Sequence, residues 1–432
     1  MDNDKEYLLS LQAVRANASK VLDSAINGEL THFEYDASRM SVVADFVTDV
    51  IKRDFGPDKF DQIPPHGRWQ HFDVGGVARV DALCTQWKNG GCEDVKEITR
   101  RLIDLFFVSV LLDAGAGDHW RFKEPGTEDL YTRSEGIAVA SLYMFTAGAF
   151  SSDASQKCAV DGTGLSLLDD ETFSRYFQLT PENPLVGVSS RVQLLKDVGS
   201  SLSSLPDIYG PSGRPGNIVD YLTSSDSNSQ VLDYELLWSC LQRTLIPSWP
   251  KNRTQIDGQP IGDAWPLQIL NARAQRDGDV RPRTTIQPFH KLTQWLAYSL
   301  TVPFTRVLGY TWTNSDLGTG LPEYRNGGLF VDLQVLRLKK DDLEQGQKMS
   351  GQLLPQFDPA SDVIVEWRAM TVALLDQLYG IIAGRFKELG VSLSMAQMLE
   401  AGTWKSGREL AASLRPETKS SPILDSGDGT LF

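Results

Sequence analysis

The chain has 432 residues, 41% of them hydrophobic, and sets 42 Lys plus Arg against 56 Asp plus Glu for a formal net charge of −14. A chain of this length buries roughly three-quarters of the surface its unfolded form exposes, so a globular protein is expected. Its acidic balance has the wrong sign for tracking a nucleic-acid backbone, but leaves room for one small phosphorylated ligand held by a few convergent Arg and Lys.

The N-terminus "MDNDKEYLLSLQ" is acidic where a signal peptide would be basic. No apolar run approaches the ~20 residues that span a bilayer. A cytoplasmic protein with no membrane partner is expected, in which the sequons at Asn17 and Asn252 carry no meaning. The cysteines Cys84, Cys92, Cys158 and Cys240 form no Cys-x-x-Cys pair and read as reduced core residues.

Apolar positions at three- and four-residue spacing predict helices over 5–27 and 36–53, and "VKEITRRLIDLFFVSVLLDAG" reads as a buried helix closed by Gly115. Between them "RWQHFDVGG" groups Arg68, Trp69, His71 and Phe72, and just beyond, "DAGAGDHWRF" groups Asp113, His119, Trp120 and Arg121. Such aromatic and cationic neighbours suit a ligand wall and equally suit a packing cluster at helix ends. Further helices are predicted over 133–149, 188–203, 216–224, 231–244, 288–301, 362–389 and 395–413. Loops are predicted over 54–67, 151–165, 204–216, 245–263, 272–286 and 313–328. In "YGPSGRPGNIVD", which leads into one of these helices, Arg214 is the residue that would matter for an anion, against the plainer reading of an ordinary turn.

Alternating strands are scarce and no repeat or heptad series is present. The expected fold is therefore mainly α, a single large helical domain over 1–415 with few short strands, as one mass or as two lobes with the site between them. The stretch 416–432, "PETKSSPILDSGDGTLF", has the composition of a disordered tail.

The five histidines, His32, His66, His71, His119 and His290, include no His-x-x-x-His or His-Glu-x-x-His pair, so neither a metal nor another cofactor is expected. A Gly-x-Ser-x-Gly elbow is also lacking. Polar residues concentrate in three places. "QPFHKLTQWLAYSL" puts Phe289, Leu292, Leu296 and Leu300 on one helical stripe, with His290, Lys291 and Gln294 beside it. "EYRNGGLFVD" packs Glu323, Arg325, Asn326, two glycines and Asp332 into ten positions, as a self-tied turn or the floor of a site. "SDVIVEWRAMTVALLDQLYGIIAGRF" carries Glu366 and Arg368 within an apolar helix. Residues two apart lie on nearly opposite sides of a helix, so these two charges need other partners, and Arg325 and Glu323 are the obvious complements.

The strings "FHKLTQWLAYSL", "LPEYRNGGLFVD", "VEWRAMTVALLD", "DAGAGDHWRF" and "DGTLF" resemble the uracil catabolism protein four family of fungi and bacteria over nearly the whole chain. Phe-x-Lys-x-x-Gln, acidic-Tyr-Arg and Glu-x-Arg, in that order, are also similar to motifs of the queuosine salvage proteins. Those are N-glycosidases that release a base from a nucleoside 5′-phosphate on a helical fold similar to DNA glycosylases. The matching positions are Lys291 with Gln294, Glu323 with Arg325, and Glu366 with Arg368. The chain departs at Glu323, where those proteins usually carry Asp.

The resemblance implies a uracil-catabolism hydrolase that releases urea from a ribosylurea 5′-phosphate-like intermediate and leaves ribose 5-phosphate. The alternative is a non-catalytic nucleotide-binding regulator or partner of the ring-opening enzyme. An amidohydrolase acting on the ureido group would normally want a metal ligand set. Cleaving a ribosyl C–N bond calls for a carboxylate near the anomeric carbon and a base for water. Asp332 and Glu323 are the candidate catalytic carboxylates. Lys291, His290, Arg325, Gln294, Asn326, Trp69 and Trp120 are the candidate substrate or phosphate contacts, with the glycines of "RNGG" admitting the sugar. Glu366, Arg368 and Asp113 form the expected supporting ion pairs.

Overall fold

The computed structural model describes residues 4–113, 119–224, 229–250 and 253–427. The chain is mainly α, as its periodicity predicts, and its described strands form isolated two-stranded pairs. It divides into two compact units, each assembled from segments distant in sequence. The first comprises Met1–His66, Asn252–Lys291 and Asp316–Gly427; the described residues of the second come from Gly67–Lys251 and Leu292–Ser315.

The first unit is built on the helix Asp362–Glu388, about 40 Å long at 1.5 Å per residue. Every residue from Val363 to Leu375 is buried, so this stretch is core on all sides. Helix Leu11–Ile26 packs against it, started by Ser10, whose hydroxyl accepts from the Ala13 N–H. It buries Leu11, Val14, Ala18, Val21, Leu22 and Ala25, the three- and four-residue stripe visible in the sequence. Helix Met40–Phe55 covers a further side. Two antiparallel strand pairs brace the unit, Phe33–Tyr35 with Leu336–Leu338 and Ala264–Pro266 with Ile286–Pro288.

Two expectations change here. The segment read as loop and turn is a helix, Tyr324–Asp332, with Glu323 at its N-cap. Its mid-helix glycines, which helix propensity penalises, are required by packing. A Cβ on Gly327 would stand 2.8 Å from the Trp367 ring and 2.9 Å from Thr371 Oγ1, and one on Gly328 would stand 3.0 Å from Pro422. The glycines thus admit a neighbouring helix and the C-terminal segment, not a sugar. That segment is also ordered as far as Gly427: Ile423 is buried and Leu424–Asp425 runs parallel to Gln356–Phe357 as a strand pair. The final five residues, which are the string "DGTLF", lie outside the described residues, as does Gly115.

In the second unit, helix Val95–Leu111, capped by the Asp94 carboxylate on the Lys96 N–H, is buried along most of its length. Helices Arg133–Thr146, Val188–Ser203 and Tyr234–Leu245 lie within the same unit. The glycine-rich turn before helix Ile218–Thr223 is tied down by its own arginine. Arg214 bonds Asp104 at 2.7 Å and Glu97 at 3.0 and 3.2 Å, while Asp104 also accepts the Gly216 N–H at 2.7 Å. Arg214 is therefore a half-buried structural partner, and the ordinary-turn reading holds.

Candidate active site at the N-terminus of helix Tyr324–Asp332

Within the first unit, four stretches far apart in sequence converge: Asp263, the 288–291 turn, the Glu323 cap and Arg368 of the central helix. Asp263 organises them. Its carboxylate takes two parallel bonds from Arg368, at 2.8 and 2.7 Å, and further bonds from Trp265 Nε1 at 2.8 Å and the Lys291 N–H at 3.0 Å. Its carbonyl accepts the N–H groups of Phe289 and His290. Burial would raise the Asp263 carboxyl, but the bidentate guanidinium outweighs it and holds the group well below the usual carboxylate range. Arg368 also lies 4.0 Å over the Phe289 ring.

These bonds hold His290 at φ 48°, a left-handed conformation uncommon outside glycine. Its Nε2 donates to the Leu8 carbonyl at 2.8 Å, and burial pushes its pKa down. Its ring is thus tied to the Leu8 carbonyl at the turn that leads into the next helix. Its neighbour Lys291 opens the helix Lys291–Leu308 and presents its charge toward Glu323.

Glu323 caps its helix with both oxygens: Oε2 accepts from Arg325 N at 2.8 Å and Oε1 from Asn326 N at 2.6 Å. Burial pushes its carboxyl up to about 7. The Asn326 N–H and the positive charge of Lys291 pull the other way. A carboxyl poised near neutrality can take and give protons at working pH. Beside it, the Asn326 amide nitrogen donates to the Leu321 carbonyl, and its Oδ1 is buried with no hydrogen-bond partner among the described residues. That leaves an acceptor suited to an N–H donor. Arg325 donates to the Lys419 carbonyl at 3.0 Å and lies over the Tyr324 ring.

Other candidates fall elsewhere. Asp332 closes the same helix, nine residues from Glu323, or roughly 13 Å along the axis. Paired carboxyls of glycosidases stand roughly 5–9.5 Å apart, so these two do not share one reacting carbon. Both Asp332 oxygens are taken by Arg415, at 2.9 and 2.7 Å. Arg415 also donates to the Ser420 carbonyl and so clamps the C-terminal segment.

The expected Glu366–Arg325 and Arg368–Glu323 complements do not form. Arg368 is matched to Asp263, and Glu366 accepts the N–H groups of Thr31, His32 and Phe33 at 2.8, 2.8 and 3.2 Å. Glu366 is a backbone clamp because its side of the helix faces the Thr31–Phe33 strand entry.

Gln294, Trp69, Trp120 and Asp113 belong to the second unit. Gln294 is fully enclosed on its helix. Trp69 donates to Asp73 and stacks under Arg306; Trp120 has no exposed surface and donates to the Phe177 carbonyl, so both follow the packing alternative. Asp113 pairs with the fully buried Arg68 at 2.7 Å, within the second unit.

Two residues were given no role by the sequence: Asp263, in a Gly/Pro-rich loop 105 positions from its partner, and Glu400, which bonds His66. Neither carries a local signal that could have singled it out. Among the described residues no group of three or more His, Cys, Asp or Glu is placed to hold a metal ion, and no helix is long and apolar enough to cross a membrane.

Fold and site together define a mainly helical protein that buries a titratable carboxyl at a helix N-terminus among cationic side chains. A family model described as protein of unknown function (DUF1688) matches residues 7–432, and the chain belongs to that family. Uracil catabolism protein 4 of Lachancea kluyveri is 44% identical over 447 aligned positions, covering all of both chains. Protein urg3 of Schizosaccharomyces pombe is 48% identical over 426, covering 98% of each.

Proposed function

We propose that the protein is a uracil-catabolism hydrolase of the N-glycosidase type, acting on a ribosylurea 5′-phosphate-like compound to give urea and ribose 5-phosphate. The relative named for uracil catabolism supports the pathway. The reaction rests on one observation: Glu323 is a buried carboxyl raised to about 7 and facing the charge of Lys291.

As the C1′–N bond breaks, its electron pair leaves with the ureido nitrogen, which takes a proton from bulk water to give urea, and positive charge grows on the sugar. The Glu323 carboxylate stabilises that charge and takes a proton from the water whose oxygen bonds C1′. Asn326 Oδ1 accepts an N–H of the ureido group, a donor that a simple ribosyl ether would lack. Lys291 and Arg325 hold the 5′-phosphate, which converts remote binding into positioning at C1′.

Purified protein is incubated with ribosylurea 5′-phosphate, and urea and ribose 5-phosphate are measured. Wild-type turnover is expected, and E323Q should lower kcat by ~10²–10⁴, the range of a lost general base. E323D keeps the cap and charge but withdraws the carboxylate, so it should retain stability while losing most activity. Absence of urea from the wild type overturns the reaction. The second reading, a nucleotide binder without turnover, is favoured by the fact that both Glu323 oxygens already cap a helix. It requires a thermal shift with UMP or ribose 5-phosphate and no urea.

A further inference from the structure

Buried arginines in this fold are matched to acids: Arg68 to Asp113, Arg79 to Glu124 and Arg368 to Asp263, at 2.7, 2.6 and 2.7 Å. Arg325 breaks that pattern. It is 4% exposed, yet among the described residues no carboxylate pairs with its guanidinium. The group donates to the Lys419 carbonyl at 3.0 Å and lies 4.8 Å over the Tyr324 ring. A guanidinium carries five N–H donors and a full charge, and burying that charge without a counter-charge is costly. A second donor stands in the same place. The Ser421 hydroxyl, 9% exposed, has no hydrogen-bond partner among the described residues, and lies 4.0 Å from where a Cβ on Gly328 would stand. Gly328 is one helical turn past Arg325, so the two positions share one face of helix Tyr324–Asp332. One short stretch, "KSSP", therefore meets that face twice: Lys419 on Arg325, and Ser421 with Pro422 at Gly328.

The stretch is held where it is. Arg415, anchored on Asp332, donates to the Ser420 carbonyl at 2.8 Å, and Ile423 just beyond is buried. The chain turns at Lys419 with φ 51°. Gly407 lies directly against the Arg325 backbone, so the root of the arginine is fixed as well. We infer that Lys419–Pro422 is one wall of an anion subsite, in which the Arg325 guanidinium and the Ser421 hydroxyl together hold the phosphate monoester of the substrate. The inference rests on the reading of that substrate as a 5′-phosphate, and it adds the C-terminal segment to the site as the part that selects for the phosphate.

The chemistry of the donors chooses the ligand. A phosphate monoester brings a charge between −1.5 and −2 at pH 7 and three acceptor oxygens. The arginine fork takes two of them, and the serine O–H donates to the third. A carboxylate would satisfy the fork but leave no oxygen for Ser421. A neutral sugar would leave the guanidinium charge unmatched.

The test uses the full chain and does not depend on turnover. Titration calorimetry measures the binding of ribose 5-phosphate, ribose and inorganic phosphate to wild type, R325M and S421A, and thermal unfolding is followed without ligand. Ribose 5-phosphate should bind the wild type most tightly of the three. Its affinity should fall by ~10²-fold in R325M and ~10-fold in S421A, the range of lost charged hydrogen bonds, while ribose is bound equally by all three proteins. Unfolding separates ligand contact from structure. Removing an unmatched buried charge should leave the ligand-free midpoint of R325M at or above that of the wild type, where a structural arginine would lower it. Ribose 5-phosphate affinity unchanged in S421A overturns the inference, and so does inorganic phosphate binding as tightly as the ester. Should R325M fail to fold, S421A decides alone. Affinity lost in the variants with no urea from the wild type overturns the hydrolase reading and leaves the subsite standing. Urea release with affinity untouched by either variant does the reverse.

Discussion

Replacing Asp263 by Asn is the sharpest test of the site's frame, because it keeps the shape and removes the charge. Arg368 is 2% exposed and its two bonds to Asp263 are its charge balance. The asparagine would turn an NH₂ donor toward a guanidinium that only donates. Breaking a buried pair from one side costs about 3–5 kcal/mol. In a unit of this size each kcal/mol moves the midpoint by roughly 2–4 °C, so the first unit's transition should fall by about 6–20 °C. Calorimetry is the right assay, since two compact units need not melt as one. The double variant D263N/R368M removes the orphaned charge as well and should recover much of the loss. The pH dependence is a second signature. A carboxyl depressed by its partner contributes stability that is fully present above its unfolded value, about 3.9, and is lost as pH falls through the lower folded value. D263N should therefore flatten the loss of stability below about pH 4. A midpoint change under about 3 °C, or a double variant no better than the single, would refute the account.

Three further outcomes follow from other contacts. D332N should lower stability by about 1.5–3 kcal/mol through the lost charged bonds to Arg415, yet change kcat by less than about tenfold; a loss near that of E323Q would restore Asp332 to the chemistry. G327A drives a methyl against Trp367 and Thr371 and should cost about 1–3 kcal/mol. G384A, exposed on the central helix with nothing within 4 Å, should instead gain about 0.5–1 kcal/mol in the same unfolding assay. For His32, burial would push the imidazolium down, but hydrogen bonds to Asp362 and Asp342 and the charge of Glu366 raise it overall. Its stabilisation is fully present below the unfolded value of about 6.5 and is lost as pH rises through the higher folded one. A thermal midpoint that falls across that window in wild type but not in H32Q is the expected result; equal slopes would count against the clamp.

How much of this was legible depends on whether the cause was local. Helices Val95–Leu111 and Asp362–Glu388 announce themselves because burial of one face, or of all faces, writes a period into the chain. The Tyr324–Asp332 helix does not. Asn326 and two glycines spoil its propensity, and their reason, Trp367 and Pro422 pressing on the backbone, sits 40 and 94 positions away from the glycines they meet. The same holds for the ion pairs. That Arg368 needs a buried acid was readable; that the acid is Asp263 and not Glu323 was not, since nothing near Asp263 marks it. Residues 416–427 have the composition of a tail, and what orders them is the Arg415 clamp and Pro422 on Gly328.

The two carboxyls of one helix explain why composition alone could not assign the chemistry. Glu323 and Asp332 both look like candidate acids, and both are buried or nearly so. What separates them is the partner. Asp332 meets a guanidinium that takes both oxygens and balances its charge, so the group is committed to holding Arg415 and the chain beyond it. Glu323 bonds backbone N–H groups in place of a guanidinium, so burial outweighs the opposing charge of Lys291 and pushes its carboxyl up to about 7. The fold thus keeps one acid permanently charged for structure and leaves the other able to change charge beside the buried acceptor of Asn326. It is this asymmetry, made by Arg415 at one end of the helix, that puts the proposed chemistry at its N-terminus.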